Sequence, residues 1–425
     1  VRFESRLAPA FLGALLVGCS GAGSTATQPA SALPAGASGK SVALSPRSTR
    51  RTQDLSECSG VGAYSFVGGT DGNVAAVQDA AVAGGLSNYA CAEQSFVGGG
   101  DNNVITSNGS TSVAGFIGGG FKNVLIQSPE GAIAGGADNE LNGGGTSFIG
   151  GGQYNIISDA YAVAAGGYEN NVSAEYAAIA GGELNIASAI GTYVGGGGYN
   201  TASGEGAIVD GGFNSIASGT FATVPGGYVN NAAGTYSFAA GARASAAQTG
   251  TFVWSDGSDG DTILTSSRAY QFLARASGGV TFWTNAASTV GATLAPGSGT
   301  WASASDRNLK TDVANVDDAA VLEKVAALPI SRWSYKSERG VRHLGPMAQD
   351  FYAAFRVGED DKHITSIDED GVALTAIKAL HTDNLTLHAA NDRLRADDRA
   401  VHAQLADLRL QVAALRKLVI QNTAK

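Results

Sequence analysis

Ser305 and Lys310 stand five residues apart in the phrase WASASDRNLKTDV (301–313), with Asp306 directly after the serine. A serine hydroxyl attacks an amide once a base takes its proton, and a lysine can be that base when desolvation strips its charge. The phrase therefore holds the residue types of a nucleophile and a base. Spacing alone does not join them. Side chains three or four apart are neighbours on an α-helix, and residues five apart lie on different faces. The expectation is that the surrounding fold, or an assembled oligomer, must carry Lys310 to Ser305. Without that help the phrase reads as a linker cap and a surface lysine.

The phrase sits on a boundary. Before it the chain is dominated by glycine, with 60 glycines in 425 residues and only 15% charged side chains. The net charge is −10, and in the glycine-rich region Lys122 and Arg243 are almost the only bases. A groove for nucleic acid needs the opposite sign, so a nucleic-acid partner is excluded.

Within that region one phrase recurs: SFIGGGQYN, AVAAGGYEN, AAIAGGELN and TYVGGGGYN succeed one another, and the period settles to 15 residues. Such a period means a stacked array. Each repeat has a short alternating apolar segment, a Gly-Gly turn, an asparagine and a second short segment, which reads as two strands and two turns per coil. Asn155, Asn170 and Asn185 recur in phase and are expected to stack as a ladder that satisfies turn backbone. Phosphate-cradling loops are excluded because no helix pattern follows the glycine pairs. Asp71, Asp101 and Asp138 follow glycine pairs but later repeats do not keep the phase, so no calcium array is expected, and no metal or cofactor is called for. The apolar residues of a coil (Phe148, Ile149, Ile179, Val194) are too few to enclose a core, leaving one face for burial against other copies. The repeats resemble the head of trimeric autotransporter adhesins. That resemblance implies a trimeric, left-handed parallel β-roll over 59–248. Residues 249–302 break the period and read as a β-rich connector whose core is Trp254, Phe272, Phe282 and Trp283.

After Ser303 the composition becomes ordinary. Residues 316–330 read as a helix with Asp317 and Asp318 at its start and Pro329 at its end; short strands, a helix near Pro346 and a last long helix follow. The phrases SDRNLKTDV, LEKVAALPISRWSY, HLGPMAQDF and IDEDGVALTAIKAL, in that order, resemble the intramolecular chaperone and auto-processing domain of phage tail spikes and fibres, of the endosialidase type. The resemblance implies a domain (303–376) that drives trimer assembly and then cuts its own chain. Carried onto this sequence, Ser305 is the nucleophile, Lys310 the general base and Ser305–Asp306 the scissile bond. His343 falls on a motif position and is either an orienting group or a structural histidine. In the tail (377–425), Ile377, Leu405, Val412 and Val419 fall on heptad a positions. Leu380, Leu387, Leu394, Val401, Leu408 and Leu415 fall on d positions. That pattern predicts a parallel coiled coil, with Asn384, Asn391 and Asp398 at a fixing register.

The N-terminus reads as an export signal: Arg2 and Arg6, then an apolar run from Leu7 to Val17 too short to span a bilayer. The run ends in LVGC, which resembles a bacterial lipobox and implies a signal peptide (1–18) and lipidation of Cys19. Residues 19–58 read as a flexible tether. Cys58 and Cys91 remain, either as a disulfide or as two small buried residues.

The expected fold class is thus mostly β: a trimeric β-roll, a small α+β chaperone domain and a C-terminal coiled coil. The expected partners are two further copies, a membrane through the lipid, and a surface glycan or host surface. The expected location is the outer membrane, facing outward. Two alternatives stay open. One is a tail-spike-like protein that binds or degrades polysaccharide, for which Glu169, Glu175, Glu183 and Glu205 are candidates only by being acidic. The other is the same fold without cleavage, its C-terminal domain a permanent trimer clamp.

Overall fold

The computed structural model describes residues 58–423, apart from 70, 108–113 and 144. The expected signal peptide, Cys19 and almost all of the expected tether lie outside the described residues. The chain divides into two compact units, one running to Val280 and taking in Leu294–Thr300, the other made of Thr281–Thr293 and residues from Trp301 onward.

The first unit is a parallel β-solenoid. Each coil gives one short strand to each of two sheets, which contain 14 and 13 strands among the described residues. Strands Val163–Ala164, Ala178–Ile179 and Tyr193–Val194 stack in register in one sheet, and Asn171–Val172, Ile186–Ala187 and Thr201–Ala202 in the other. With two residues per strand, one side chain points out and the next points in. Ile149, Ala164, Ile179 and Val194 are fully buried from the first sheet, as are Ile157, Val172, Ala187 and Ala202 from the second. Several coils pair a large inward residue with alanine, Val209 with Ala217 and Val224 with Ala232, as a narrow interior packed to normal density requires.

The asparagines form a ladder inside the coil. Asn170 is fully buried. Its Nδ2 donates to the Gly166 and Gly182 carbonyls at 3.0 and 2.9 Å, and its Oδ1 accepts from the Asn185 backbone N–H at 3.1 Å. Asn185 repeats the pattern one coil on, with Gly181 and Gly197. The glycine before each rung is required by the same packing. Gly167 sits at φ +98°, and a Cβ there would lie 2.2 Å from the Gly182 carbonyl oxygen and 2.5 Å from Asn170 Nδ2.

Both sheets run past residue 248, where the sequence pattern breaks. Phe252–Asp256 pairs in parallel with Phe238–Ala242, Phe272–Arg275 pairs with Phe252–Asp256, and Leu264–Thr265 pairs with Ala244–Ala246. Longer strands and a 20-residue step from Phe252 to Phe272 disguise the continued winding. The aromatic residues expected as a connector core face outward instead: Trp254, Phe272, Phe282 and Trp283 are all exposed, while Val253 is the inward residue of its strand. Alternation assigns two faces but does not say which is the inner one. Cys58 and Cys91 are joined as a disulfide with Cα atoms 5.5 Å apart.

A three-stranded sheet of Val280–Trp283, Gly291–Leu294 and Trp301–Ser303 comes next along the chain. Helix α1 (Asp318–Ala327) follows, capped by the Asp317 carboxylate, which accepts from the Ala319 and Ala320 N–H groups at 3.1 Å each. A hairpin of Ser331–Trp333 and His343–Gly345 leads to helix α2 (Ala348–Phe355). The last described element is helix α3, Ser366–Thr423, 58 residues long. Helix α1 packs on the start of α3: Ala376 and Ala379 are buried, and Lys378 Nζ meets the Asp318 carboxylate at 2.7 Å. Among the described residues no helix is long and apolar enough to cross a membrane.

Candidate active site

The site lies where the chain leaves the three-stranded sheet. The Ala304 N–H still donates to the Gly291 carbonyl at 3.1 Å. Ser305 comes next and is exposed. Asp306 then stops the strand. Its backbone is extended, and its Oδ1 accepts from the Asn308 N–H at 2.9 Å and from Asn308 Nδ2 at 3.1 Å. A short acceptor side chain at this position satisfies N–H groups that a first helical turn leaves open. One turn of 3-10 helix, Arg307–Leu309, follows and closes with the Lys310 N–H on the Arg307 carbonyl at 3.1 Å.

That turn folds the chain back on itself, and Lys310 Nζ donates to Ser305 Oγ at 2.7 Å. The pair is therefore closed within a single chain. The expectation that a wider fold or an oligomer must bring Lys310 to Ser305 is corrected: helix-face geometry does separate residues five apart, but a capped 3-10 turn between extended residues, spanned by a long lysine side chain, does not. Asp306 and Asn308 are the residues that build this arrangement; the sequence reading named Asp306 only as one side of the scissile bond and did not name Asn308. The signal was present, since aspartate opening a turn is a capping preference.

His343 does not join the pair. Its ring stacks on Trp333 at 4.7 Å and meets Tyr335 at 5.6 Å, and its Nε2 is 3.6 Å from the Glu338 carboxylate. These are the contacts of a residue holding the hairpin together. Of the carboxylates considered for sugar chemistry, Glu169 and Glu175 flank the Asn171–Val172 strand on either side, Glu183 and Glu205 lie in later coils, and Glu175 lies beside Tyr176 and raises the pKa of that phenol.

Chemically, the pair sets a hydroxyl that could act as a nucleophile in hydrogen-bond contact with an amine that could act as its base. The lysine donates to the hydroxyl, and both side chains are exposed. A lysine takes a proton only as the neutral amine, which exclusion of water favours. Burial of the pair by something outside the single chain would supply that condition.

Residues 305–357 match the family Peptidase S74, described as chaperone of endosialidase, and the match begins at Ser305 itself. The matched segment contains the serine–lysine pair, α1, the hairpin and α2. No curated protein matches the chain.

Proposed function

We propose that this chain is a trimeric, fibre-like surface protein whose C-terminal domain drives its assembly and then cuts the chain between Ser305 and Asp306. The observation that carries the reading is the 2.7 Å contact between Lys310 Nζ and Ser305 Oγ, at the first residue of a segment matching a chaperone family and after a long β-solenoid. In this reading the solenoid is the working part of the fibre, and residues 306–425 are the assembly device.

The long helix supports assembly. Along α3 the residues Leu387, Leu394, Val401, Leu405 and Leu408 all stay exposed in the single chain. A repeating apolar seam along an exposed helix is covered when copies wrap together as a coiled coil. Even where α1 occupies one flank of the helix, Ile377 and Leu380 remain free for that contact, since Ala376 and Ala379 are the residues α1 buries.

The sequence before residue 58 supports attachment to an outer membrane through lipid on Cys19, where more than one acyl chain gives durable anchoring. A polysaccharide-handling role for the solenoid has less support. The rings of Phe238, Phe252 and Phe272 stack at 4.8 and 4.7 Å with planes within 5°. Both faces of Phe252, and one face each of Phe238 and Phe272, are thereby closed to a sugar.

Intact mass of the purified protein, beside Ser305→Ala and Lys310→Ala, tests the proposal. Wild type split after Ser305 with both variants whole supports self-processing. Uncut wild type that is still trimeric makes the C-terminal domain a permanent clamp.

A further inference from the structure

We infer that Ser305 of one copy cuts the Ser305–Asp306 bond of a neighbouring copy, so that the cleavage runs in trans within the assembly. The inference rests on the self-processing reading above and adds which chain supplies the bond.

Lys310 already touches Ser305 in one chain, so an unassembled copy does not lack its nucleophile–base contact. What it lacks is a bond to attack. The carbonyl carbon of Ser305 is separated from Oγ by only Cβ and Cα, and attack there would close a four-membered ring. Ring angles near 90° are about 20° below their relaxed values, a distortion whose energy rises as the square of the deviation. The carbonyl that Oγ reaches through a relaxed five-membered ring belongs to Ala304. Attack on it would break the Ala304–Ser305 bond instead, one residue early.

A second copy removes both obstacles. Ala304, Ser305, Asp306 and Lys310 are all exposed, so no part of their own chain covers them. A neighbouring strand end laid across the pair would present its own Ser305 carbonyl from outside and exclude water from Lys310 in the same event. Lys310, as neutral amine, takes the proton from Ser305 Oγ. The oxygen forms a bond to the neighbour's carbonyl carbon, the carbon–nitrogen bond to the neighbour's Asp306 breaks, and the lysine returns the proton to that nitrogen. The ester joining the two copies is then hydrolysed by water, which leaves a carboxylate on one chain and restores the hydroxyl on the other. Cleavage coupled to assembly follows from geometry, with no separate trigger.

The test uses full-length chains carrying two different affinity tags, co-expressed so that only trimers bearing both tags are collected. Lys310→Ala copies keep an intact Ser305–Asp306 bond and lack the base. Wild-type trimers must first be cut, for if they stay whole the self-processing reading itself fails. Given that cut, Lys310→Ala copies in mixed trimers are expected to be cleaved, fully when two neighbours are wild type. With one wild-type neighbour about half of them are cleaved, because in a three-fold ring each copy faces a single attacker. Trimers mixing Ser305→Ala with Lys310→Ala should stay whole, since neither chain holds a complete pair. Three results overturn the inference. The first is Lys310→Ala copies left whole beside cut wild-type partners. The second is a released fragment beginning at Ser305, which would mark an own-chain shift onto the Ala304 carbonyl. The third is cleavage in the doubly defective mixture, which would mean that the working pair forms across copies.

Discussion

Replacing Asn170 by alanine removes one rung of the internal ladder, and its effect can be worked from the bonds it makes. Asn170 Nδ2 reaches the carbonyls of Gly166 and Gly182 and the Oδ1 of Asn155, while its own Oδ1 serves the N–H and the side-chain amide of Asn185. The Gly182 carbonyl keeps a second donor, the Tyr168 N–H at 2.9 Å, and Asn155 Oδ1 keeps the Asn170 backbone N–H at 3.2 Å. Two groups lose the bonds described here, the Gly166 carbonyl and the Asn185 N–H. A buried polar group left unpaired costs about 1–3 kcal/mol, so Asn170→Ala should destabilise the solenoid by about 2–6 kcal/mol. Asn170→Asp should cost more, since a carboxylate cannot donate to either carbonyl and would face both across a buried site. The assay is urea unfolding of the full-length chain followed by circular dichroism, with the exposed Ser173→Ala as a control expected within about 0.5 kcal/mol of wild type. Coils contact only their neighbours, so the loss should fall on the junction between the coils of Asn170 and Asn185. If Asn170→Ala unfolds with the control, the ladder contributes nothing net, and the account of what holds the coils together is wrong.

The ladder carries its own natural variant: Ser215 occupies a rung and accepts the Asn230 N–H at 3.3 Å but reaches neither flanking glycine as an asparagine would. Ser215→Asn should restore donors to the Gly211 and Gly227 carbonyls and raise stability by about 1 kcal/mol, read as a higher urea midpoint; a lowered midpoint would show that this coil is built around the smaller residue. Leu394→Asp, placed in the exposed seam of α3, should shift the full chain from trimer to monomer in light scattering, whereas the same change at the polar-flank residue Ala396 should not. Asp256 offers a pH test. Its carboxylate accepts from the N–H and hydroxyl of Ser277 and of Ser258, which hold its pKa well below the usual carboxylate range. A depressed folded-state value means that its contribution is complete above the ordinary carboxylate range near about pH 4 and fades as pH falls below it. Asp256→Asn should therefore lose stability at neutral pH and show a shallower loss than wild type on acidification toward pH 3; an unchanged acid slope would count against those bonds.

What the sequence disclosed differs by feature, and each difference has a physical cause. The solenoid and its asparagine rungs were readable because a fixed 15-residue step places like residues over like, as the register of Val163 with Ala178 and Tyr193 bears out. The orientation of Trp254 and Phe272 was not, because alternation in a short strand does not reveal which side is closed, and ring stacking along the outside makes an exposed aromatic column tolerable. The serine–lysine contact was missed in its local form because the spacing was judged against an α-helix. The turn that makes it is set by Asp306 and Asn308, polar residues that look like ordinary linker.

These features bear on one another through what a single chain leaves incomplete. The pair at Ser305 and Lys310 is in contact yet exposed, and Oγ could meet the Ser305 carbonyl of its own chain only through a four-membered ring. The α3 helix carries an apolar seam with nothing of its own chain over Leu387, Leu394 or Val401. A seam of that kind is covered by like helices, and in the proposed trans cleavage the carbonyl comes from a like strand end. Both deficits therefore call for the same partner, a further copy of this chain, although one was read from hydrophobic spacing and the other from ring size. If only the seam needed copies, a cut in unassembled chains would be expected. If only the bond did, Leu394→Asp would leave cleavage intact. The reading advanced here requires that the Leu394→Asp variant be both monomeric and uncut, with its Lys310–Ser305 contact undisturbed.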